Sequence, residues 1–216
     1  MHDLPTVYVV DDDKAVRDSL RWPIESVGLP VETFESAKDF LAACEAREVR
    51  GCLVVDVRLP GVSGLDLQDR LRELGLYLPT IVITGHGDVP VAVRAMKAGA
   101  LDFIEKPFSD QTLLDRIREA MDRDEQLHAL ALQRDALVDR FERLTARERE
   151  VMELVVTGQL NKQIAATLGL SHKTIEVHRA HVMEKMQADS LADLVRMAVV
   201  LEQHGAKSAV DAPAAV

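Results

Sequence analysis

The sequence is poor in several features, and each shortage closes off a class of protein. Only two cysteines occur, Cys44 and Cys52. Two thiols make no disulfide framework and their spacing fits no metal motif, so a reducing, cytoplasmic setting is expected. No apolar run approaches the length of a membrane span, and no membrane partner is expected. The opening MHDLPTVYVVDDD lacks a basic stretch followed by a long apolar one, so it does not read as a signal peptide. An excess of positive charge is missing too: 26 Lys and Arg face 36 Asp and Glu, for a formal net charge of −10. Even between residues 141 and 205, eight Lys and Arg stand against nine Asp and Glu. The charge test for a nucleic-acid reader therefore fails for the chain and for its C-terminal part. An acidic first half can mask a reader in the second, but such a reader has to be recognised by motif and geometry.

What is present is ample apolar material, 47% of 216 residues, enough for one large domain or two modest ones. Strand and helix patterns alternate along the first half. Short apolar runs at Thr6–Val10, Val31–Phe34, Cys52–Val55, Thr80–Ile83 and Leu101–Ile104 are separated by helical spacing at Lys14–Val27, Ala37–Ala46, Leu65–Leu74 and Pro90–Ala98, with a fifth helix from Asp110 to Met121. Five β/α pairs predict a parallel sheet covered by helices on both faces, with the flavodoxin-like order 2-1-3-4-5. Pro23 falls inside the first helix, where it is expected to kink or break a turn, and Trp22 beside it is a candidate to fill the gap.

The fifth helix runs on without Gly or Pro, with Leu130, Leu137 and Leu144 seven residues apart and Leu127 three before Leu130. Two readings stand: the stripe packs on the chain's own domains, or it forms a short coiled coil between two chains. From Thr145 onward the pattern is helical throughout. TARE is a capping box opening Ala146–Val156. Asn161–Leu168 stops at Gly169, Ser171 caps His172–Met186, and Ser190–Gln203 ends near Gly205. The small-residue tail 205–216 is expected to be disordered. The divisions expected are a domain at 5–122, a helical linker at 123–140, an all-α four-helix domain at 141–204 and the tail.

Open α/β sheets bind ligands at the C-terminal ends of their strands. The first strand ends in Asp11, Asp12 and Asp13, the third in Asp56, the fourth in Thr84 and the fifth in Lys106. A solvated turn explains Asp13, which can cap the next helix, but not a convergent set at four strand ends. Three ionised carboxylates together require a cation, and hard oxygen ligands suit Mg²⁺. A cation and Lys106 would neutralise phosphoryl oxygens, Thr84 would hydrogen-bond one, and Asp56 would be the nucleophile that carries the group.

The strings YVVDDD, VVDVRLPGVSG and ITGHGDVPVAVRAMKAGALDFIEKPF closely resemble the receiver domain of two-component response regulators, especially the FixJ-like branch, over about residues 5 to 122. The resemblance implies that Asp56 accepts phosphate from a sensor histidine kinase, and that Asp12, Asp56 and the Arg58 carbonyl ligate Mg²⁺ with Asp11 acting through water. It implies that Thr84 and Phe103 are a switch pair and that Lys106 contacts the phosphate. Phe103 stands where Tyr is common, so its movement has only packing to drive it.

Helix Asn161–Leu168, the turn at Gly169 and helix His172–Met186 have helix-turn-helix spacing. On the second helix Ile175, His178, Val182 and Met186 form a stripe for the core. Lys173, Glu176, Val177 and Ala180 form a stripe for base edges, flanked by Arg179, which suits phosphate or guanine. Lys162 and the N–H groups after Ser171, including that of Thr174, suit backbone phosphates. His178 is expected to be a satisfied structural histidine, with His172 and His181 on the surface. The string LTAREREVMELVVTGQLNKQIAATLGLSHKTIEVHRAHVMEKMQADSLADLV resembles the LuxR/NarL-type DNA-binding domain over about residues 140 to 202, with Glu176 where many members carry a basic residue.

Joined, the two halves imply a transcription factor controlled by phosphorylation. Few basic residues mean few released counterions, so one copy would bind DNA weakly and two would bind better. Phosphorylation is therefore expected to drive homodimerisation on a dyad-symmetric operator, with RNA polymerase as a further partner. The protein is not expected to be an enzyme beyond its own phosphoryl transfer and dephosphorylation. Two alternatives compete. One is a protein-interaction output without DNA binding. The other is an aspartate-dependent phosphohydrolase, which would use Asp11 and Asp13 and leave Asp56 and the second half unexplained.

Overall fold

The computed structural model describes residues 4–85 and 89–203. The chain divides into two compact units, Met1–His128 and Ala129–Val216. The tail expected at 205–216 lies outside the described residues.

The first unit is a five-stranded parallel sheet in the order β2-β1-β3-β4-β5. Its strands are β1 (Thr6–Val10), β2 (Val31–Phe34), β3 (Gly51–Asp56), β4 (Thr80–Thr84) and β5 (Asp102–Glu105). The central strands β1, β3 and β4 are buried along nearly their whole length, which explains their continuous apolar runs: both faces are covered. Successive side chains go to opposite faces. Tyr8, Val10, Leu53, Val55 and Val82 pack on one face against α2 (Ala37–Ala46), α3 (Gly64–Glu73) and α4 (Val89–Lys97). Val7, Val9, Cys52, Val54, Ile81 and Ile83 pack on the other against α1 (Lys14–Ser26) and the first turns of α5 (Asp110–Glu142). Each fully buried Val, Leu or Ile contributes about 1.5–3 kcal/mol of transfer free energy.

Helix α1 passes through Pro23 without interruption and buries that ring, so no turn is broken. Trp22 does not fill a gap there: it is 73% exposed. Proline there forgoes the bond to the residue four before it and crowds that residue's carbonyl, a cost the buried ring offsets. The final turn is supported by Ser26, whose hydroxyl donates to the Pro23 carbonyl at 2.7 Å.

Helix α5 is continuous from Asp110 to Glu142, so the fifth helix runs on past Met121 as its sequence without Gly or Pro predicts. Leu113, Leu114, Ile117 and Ala120 are buried in the first unit, and Asp124 is tied there by the Arg50 guanidinium at 3.1 Å. Leu137 and Phe141 on α5, with Leu144 after it, are buried in the core of the second unit, whereas Leu130 is 62% exposed. The seven-residue stripe is thus split. Two of its three leucines pack inside their own unit, which favours the first of the two readings and removes Leu137 and Leu144 from a coiled-coil seam.

The second unit adds α6 (Ala146–Val156), α7 (Asn161–Leu168), α8 (His172–Met186) and α9 (Leu191–Gln203) around Val151, Val155, Ile164, Ile175, Val182, Met186 and Leu194. The Thr145 capping box forms as expected, and Gly169 takes the left-handed conformation that ends α7. Capping is only part of what Glu148 does. Its buried carboxylate accepts from the Thr145 N–H at 2.8 Å, from the Thr145 hydroxyl at 3.0 Å and from Lys185 Nζ at 2.6 Å, which pins α6 to α8. Burial alone would push this carboxyl up, but Lys185 and the two Thr145 donors outweigh it and hold it down at about 2, against an ordinary 4.5.

Two tests follow from this packing. Gly51 has a φ of +119°, and a Cβ there would lie 2.0 Å from the Thr6 carbonyl oxygen on the neighbouring strand. Gly51→Ala should therefore destabilise the first unit by roughly 2–3 kcal/mol in urea unfolding followed by hydrogen exchange of the β1 and β3 amides. For Glu148, the folded group has the lower pKa, so its stabilisation is complete above about pH 4.5 and is lost as the pH falls toward 2. Protection factors of α8 amides, corrected for the intrinsic exchange rate at each pH, should fall across that window, and Glu148→Gln should flatten the dependence.

Candidate functional site

Parallel registry sets the site. Val10 of β1 lies opposite Val55 of β3, so Asp11 and Asp56, the next residues, emerge side by side. Asp56 lies opposite Ile83, placing Thr84 one step beyond, and Thr84 lies opposite Glu105, placing Lys106 one step beyond that. The Lys106 N–H donates to the Thr84 carbonyl at 2.7 Å, continuing the ladder past the end of β5. Four strand ends thus meet on one rim.

Lys106 Nζ donates to Asp11 Oδ2 at 2.9 Å and reaches Asp56 Oδ2 at 3.5 Å. Asp11 is buried, and its other oxygen accepts from the Asp13 N–H at 2.9 Å. Asp12 is exposed, and Asp13 caps α1 by accepting from the Ala15 N–H at 2.8 Å. Asp56 is half-buried, and its Oδ1 accepts a long bond from the Arg58 N–H at 3.4 Å. Burial pushes the Asp56 carboxyl up and Lys106 pulls it back. Asp11 adds to the rise and the Arg58 N–H opposes it, leaving the group above its ordinary value.

Carboxylate oxygens of Asp11, Asp12 and Asp56 lie within 4.8 Å of one another. One ammonium among three carboxylates leaves an uncompensated negative charge, and the donor set is all oxygen. Both features fit a hard divalent cation. Thr84 is fully buried, and Phe103 is half-buried against the core cluster that includes Val55, Val82 and Ala95.

Two supporting residues went unread in the sequence. Arg17 donates to the carbonyls of Asp11 at 2.6 Å and Asp12 at 3.0 Å, fixing the loop that carries both carboxylates. Gly64 opens α3 and donates its N–H to the Val57 carbonyl at 3.1 Å. A Cβ on Gly64 would fall 2.2 Å from the Asp56 carbonyl oxygen. That glycine ends the string VVDVRLPGVSG, so the signal was present, but only the structure reveals the close approach.

In the second unit, Ile175, Val182 and Met186 are buried and His178 is half-buried, as the core stripe required. His178 is not satisfied, however: among the described residues its buried Nδ1 has no hydrogen-bond partner. Lys173, Glu176, Val177 and Ala180 are exposed, as is Lys162 on α7. Glu176 lies 3.4 Å from Lys173 and 3.5 Å from His172. The Ser171 hydroxyl is engaged in capping, accepting from the Thr174 N–H at 3.0 Å. Arg179 flanks this exposed stripe. It is half-buried and its Nη1 donates to Asn161 Oδ1 at 3.0 Å.

Residues 7–118 match the response regulator receiver domain, and residues 142–198 match the bacterial regulatory proteins of the luxR family. The chain is 51% identical over 195 residues to nodulation protein W of Bradyrhizobium diazoefficiens, covering 90% of this chain and 86% of that one. It is 48% identical to the transcriptional regulatory protein FixJ of Azorhizobium caulinodans, covering 90% and 92%. Among solved structures, the response regulator StyR shares 45% identity at a TM-score of 0.78, covering 91% and 99%. Full-length FixJ from B. japonicum shares 44% at 0.56, covering 92% and 98%. No helix among the described residues is long and apolar enough to cross a membrane. With an acidic rim on a five-stranded receiver fold and a LuxR-type helix-turn-helix unit after it, the chain belongs to the response regulators of two-component systems, regulatory proteins with a DNA-binding output rather than enzymes that turn over a substrate.

Proposed function

We propose that a sensor histidine kinase switches this regulator by phosphorylating Asp56. The main support is the meeting of Asp11, Asp12 and Asp56 around Lys106 Nζ. An Asp56 oxygen forms the new P–O bond while the P–N bond of the donor imidazole breaks, leaving the electron pair on nitrogen. Lys106 and Thr84 stand next to Asp56 across the sheet, so an ammonium and a hydroxyl are available to the phosphoryl oxygens. Mg²⁺, held by Asp12, Asp56 and the Arg58 carbonyl with Asp11 acting through water, would neutralise the remaining oxygen charge.

Once the phosphoryl group is on Asp56, Lys106 exchanges Asp11 for a stronger anion and Thr84 moves toward it. Phe103 has no hydroxyl, so its response is one of packing. The affected face is α4 and β5. On α4, Val89, Val93 and Met96 are exposed by 76%, 45% and 48%, an apolar strip suited to a second copy of the chain. Phosphorylation thereby promotes the homodimer, and the dimer reads a dyad-symmetric operator. In each half-site Lys173, Glu176, Val177 and Ala180 face base edges. Lys162 and the N–H groups after Ser171, including that of Thr174, face the DNA backbone, and Arg179 flanks the stripe within reach of a phosphate or a guanine. The setting is the cytoplasm, where RNA polymerase is a further partner.

Asp56→Asn should abolish labelling by radioactive acetyl phosphate and, with it, phosphate-dependent dimerisation in analytical ultracentrifugation. Persistent labelling would place the acceptor elsewhere. Removal of divalent cations with EDTA should reduce wild-type labelling at least ~10-fold, with recovery on adding Mg²⁺. Labelling indifferent to EDTA would remove the metal from the site.

A further inference from the structure

The cations of the second unit are held in different ways. Arg147, Lys173, Lys185 and Arg196 each lie within ion-pair distance of a carboxylate. Arg179 is held instead by a neutral amide, Asn161 Oδ1, at 3.0 Å. An amide orients a guanidinium without cancelling its charge and occupies one of its five N–H donors. The direction of the hold matters as well. On α8, Arg179 sits at the border between the buried stripe of Ile175 and Val182 and the exposed stripe of Glu176, Val177 and Ala180. Asn161 is the first residue of α7, next to exposed Lys162. In a helix-turn-helix the first helix meets the sugar-phosphate backbone and the exposed stripe of the second enters the major groove.

We propose that Asn161 is a positioning residue that commits Arg179 to a backbone phosphate and withholds it from the bases. The assignment rests on the DNA-binding reading above and sharpens it. Arg179 and Lys162 form one phosphate contact region, and sequence is read by the shorter side chains of the exposed stripe. Unlike the ion-paired Arg147, Lys173, Lys185 and Arg196, Arg179 is held by a neutral partner and keeps its charge for a phosphate.

The test uses the full chain, phosphorylated with acetyl phosphate. Binding sites are first selected from a randomised duplex pool, and affinity for the winning duplex is then measured across a salt series. Arg179→Ala should select the same sequence as wild type and lower the slope of log K against log salt by about one per half-site. Asn161→Asp keeps the size and the contact but adds a neutralising carboxylate. It should lower the slope by a similar amount with its melting temperature unchanged, and it should add nothing in the Arg179→Ala background. A merely structural role for Asn161 would change melting temperature and overall affinity while leaving the salt slope alone. The assignment is overturned if Arg179→Ala relaxes the selected sequence at a base position, or if Asn161→Asp leaves the slope at the wild-type value. No selected sequence from phosphorylated wild type would remove the DNA-binding reading itself, and this assignment with it.

Discussion

Electrostatic repulsion among three carboxylates on one rim of the sheet is the constraint around which the first unit is arranged. Parallel registry forces Asp11 and Asp56 together, and the loop after β1 adds Asp12. Within the protein, Lys106 supplies the compensating charge, reaching both Asp11 and Asp56 from β5, a strand that is not adjacent to β1 or β3. The acidic set is therefore held only while the sheet is intact from β1 to β5. Ligand chemistry and sheet integrity are the same property at this rim. A group that brings new negative charge to Asp56 necessarily competes for Lys106, and such a competition can be transmitted to β5 and its neighbours.

The second unit depends on a related economy of charge. Glu148, its one deeply buried acid among the described residues, is satisfied by a cap at one end of α6 and by Lys185 from α8. Glu148 caps its helix locally, yet it also fixes where α8 lies, and so which of its faces is exposed. The exposed stripe of α8 is thus a product of packing underneath it. Ile175, Val182 and Met186 turn inward to the apolar core, on the helix that Lys185 ties to Glu148.

Much of this was legible in the residues. Apolar runs of four to six residues ending in Asp, Thr or Lys are visible as a pattern, and parallel connection makes those ends converge. The capping box at Thr145 and the stop at Gly169 are local features with local signatures. What could not be read were contacts between residues far apart in sequence. Nothing in the string ties Lys185 to Glu148, Arg17 to the carbonyls of Asp11 and Asp12, or Arg179 to Asn161. Periodicity also misled where two environments share one helix. The leucines at 130, 137 and 144 look alike in sequence, yet Leu130 is exposed and the other two are core. Trp22 failed similarly: size suggested a gap-filler, but its position on α1 points it outward.

The central strands carry a further consequence. Segments such as TVYVV and GCLVVD are β-branched, uncharged through most of their length and buried on both faces. Segments of that kind self-associate into fibrils when a chain opens transiently. Here each is followed directly by acid: Asp11, Asp12 and Asp13 after β1, and Asp56 closing β3. Acid directly after such segments is the gatekeeper pattern that opposes aggregation during folding, so neutralising these carboxylates is expected to lower solubility.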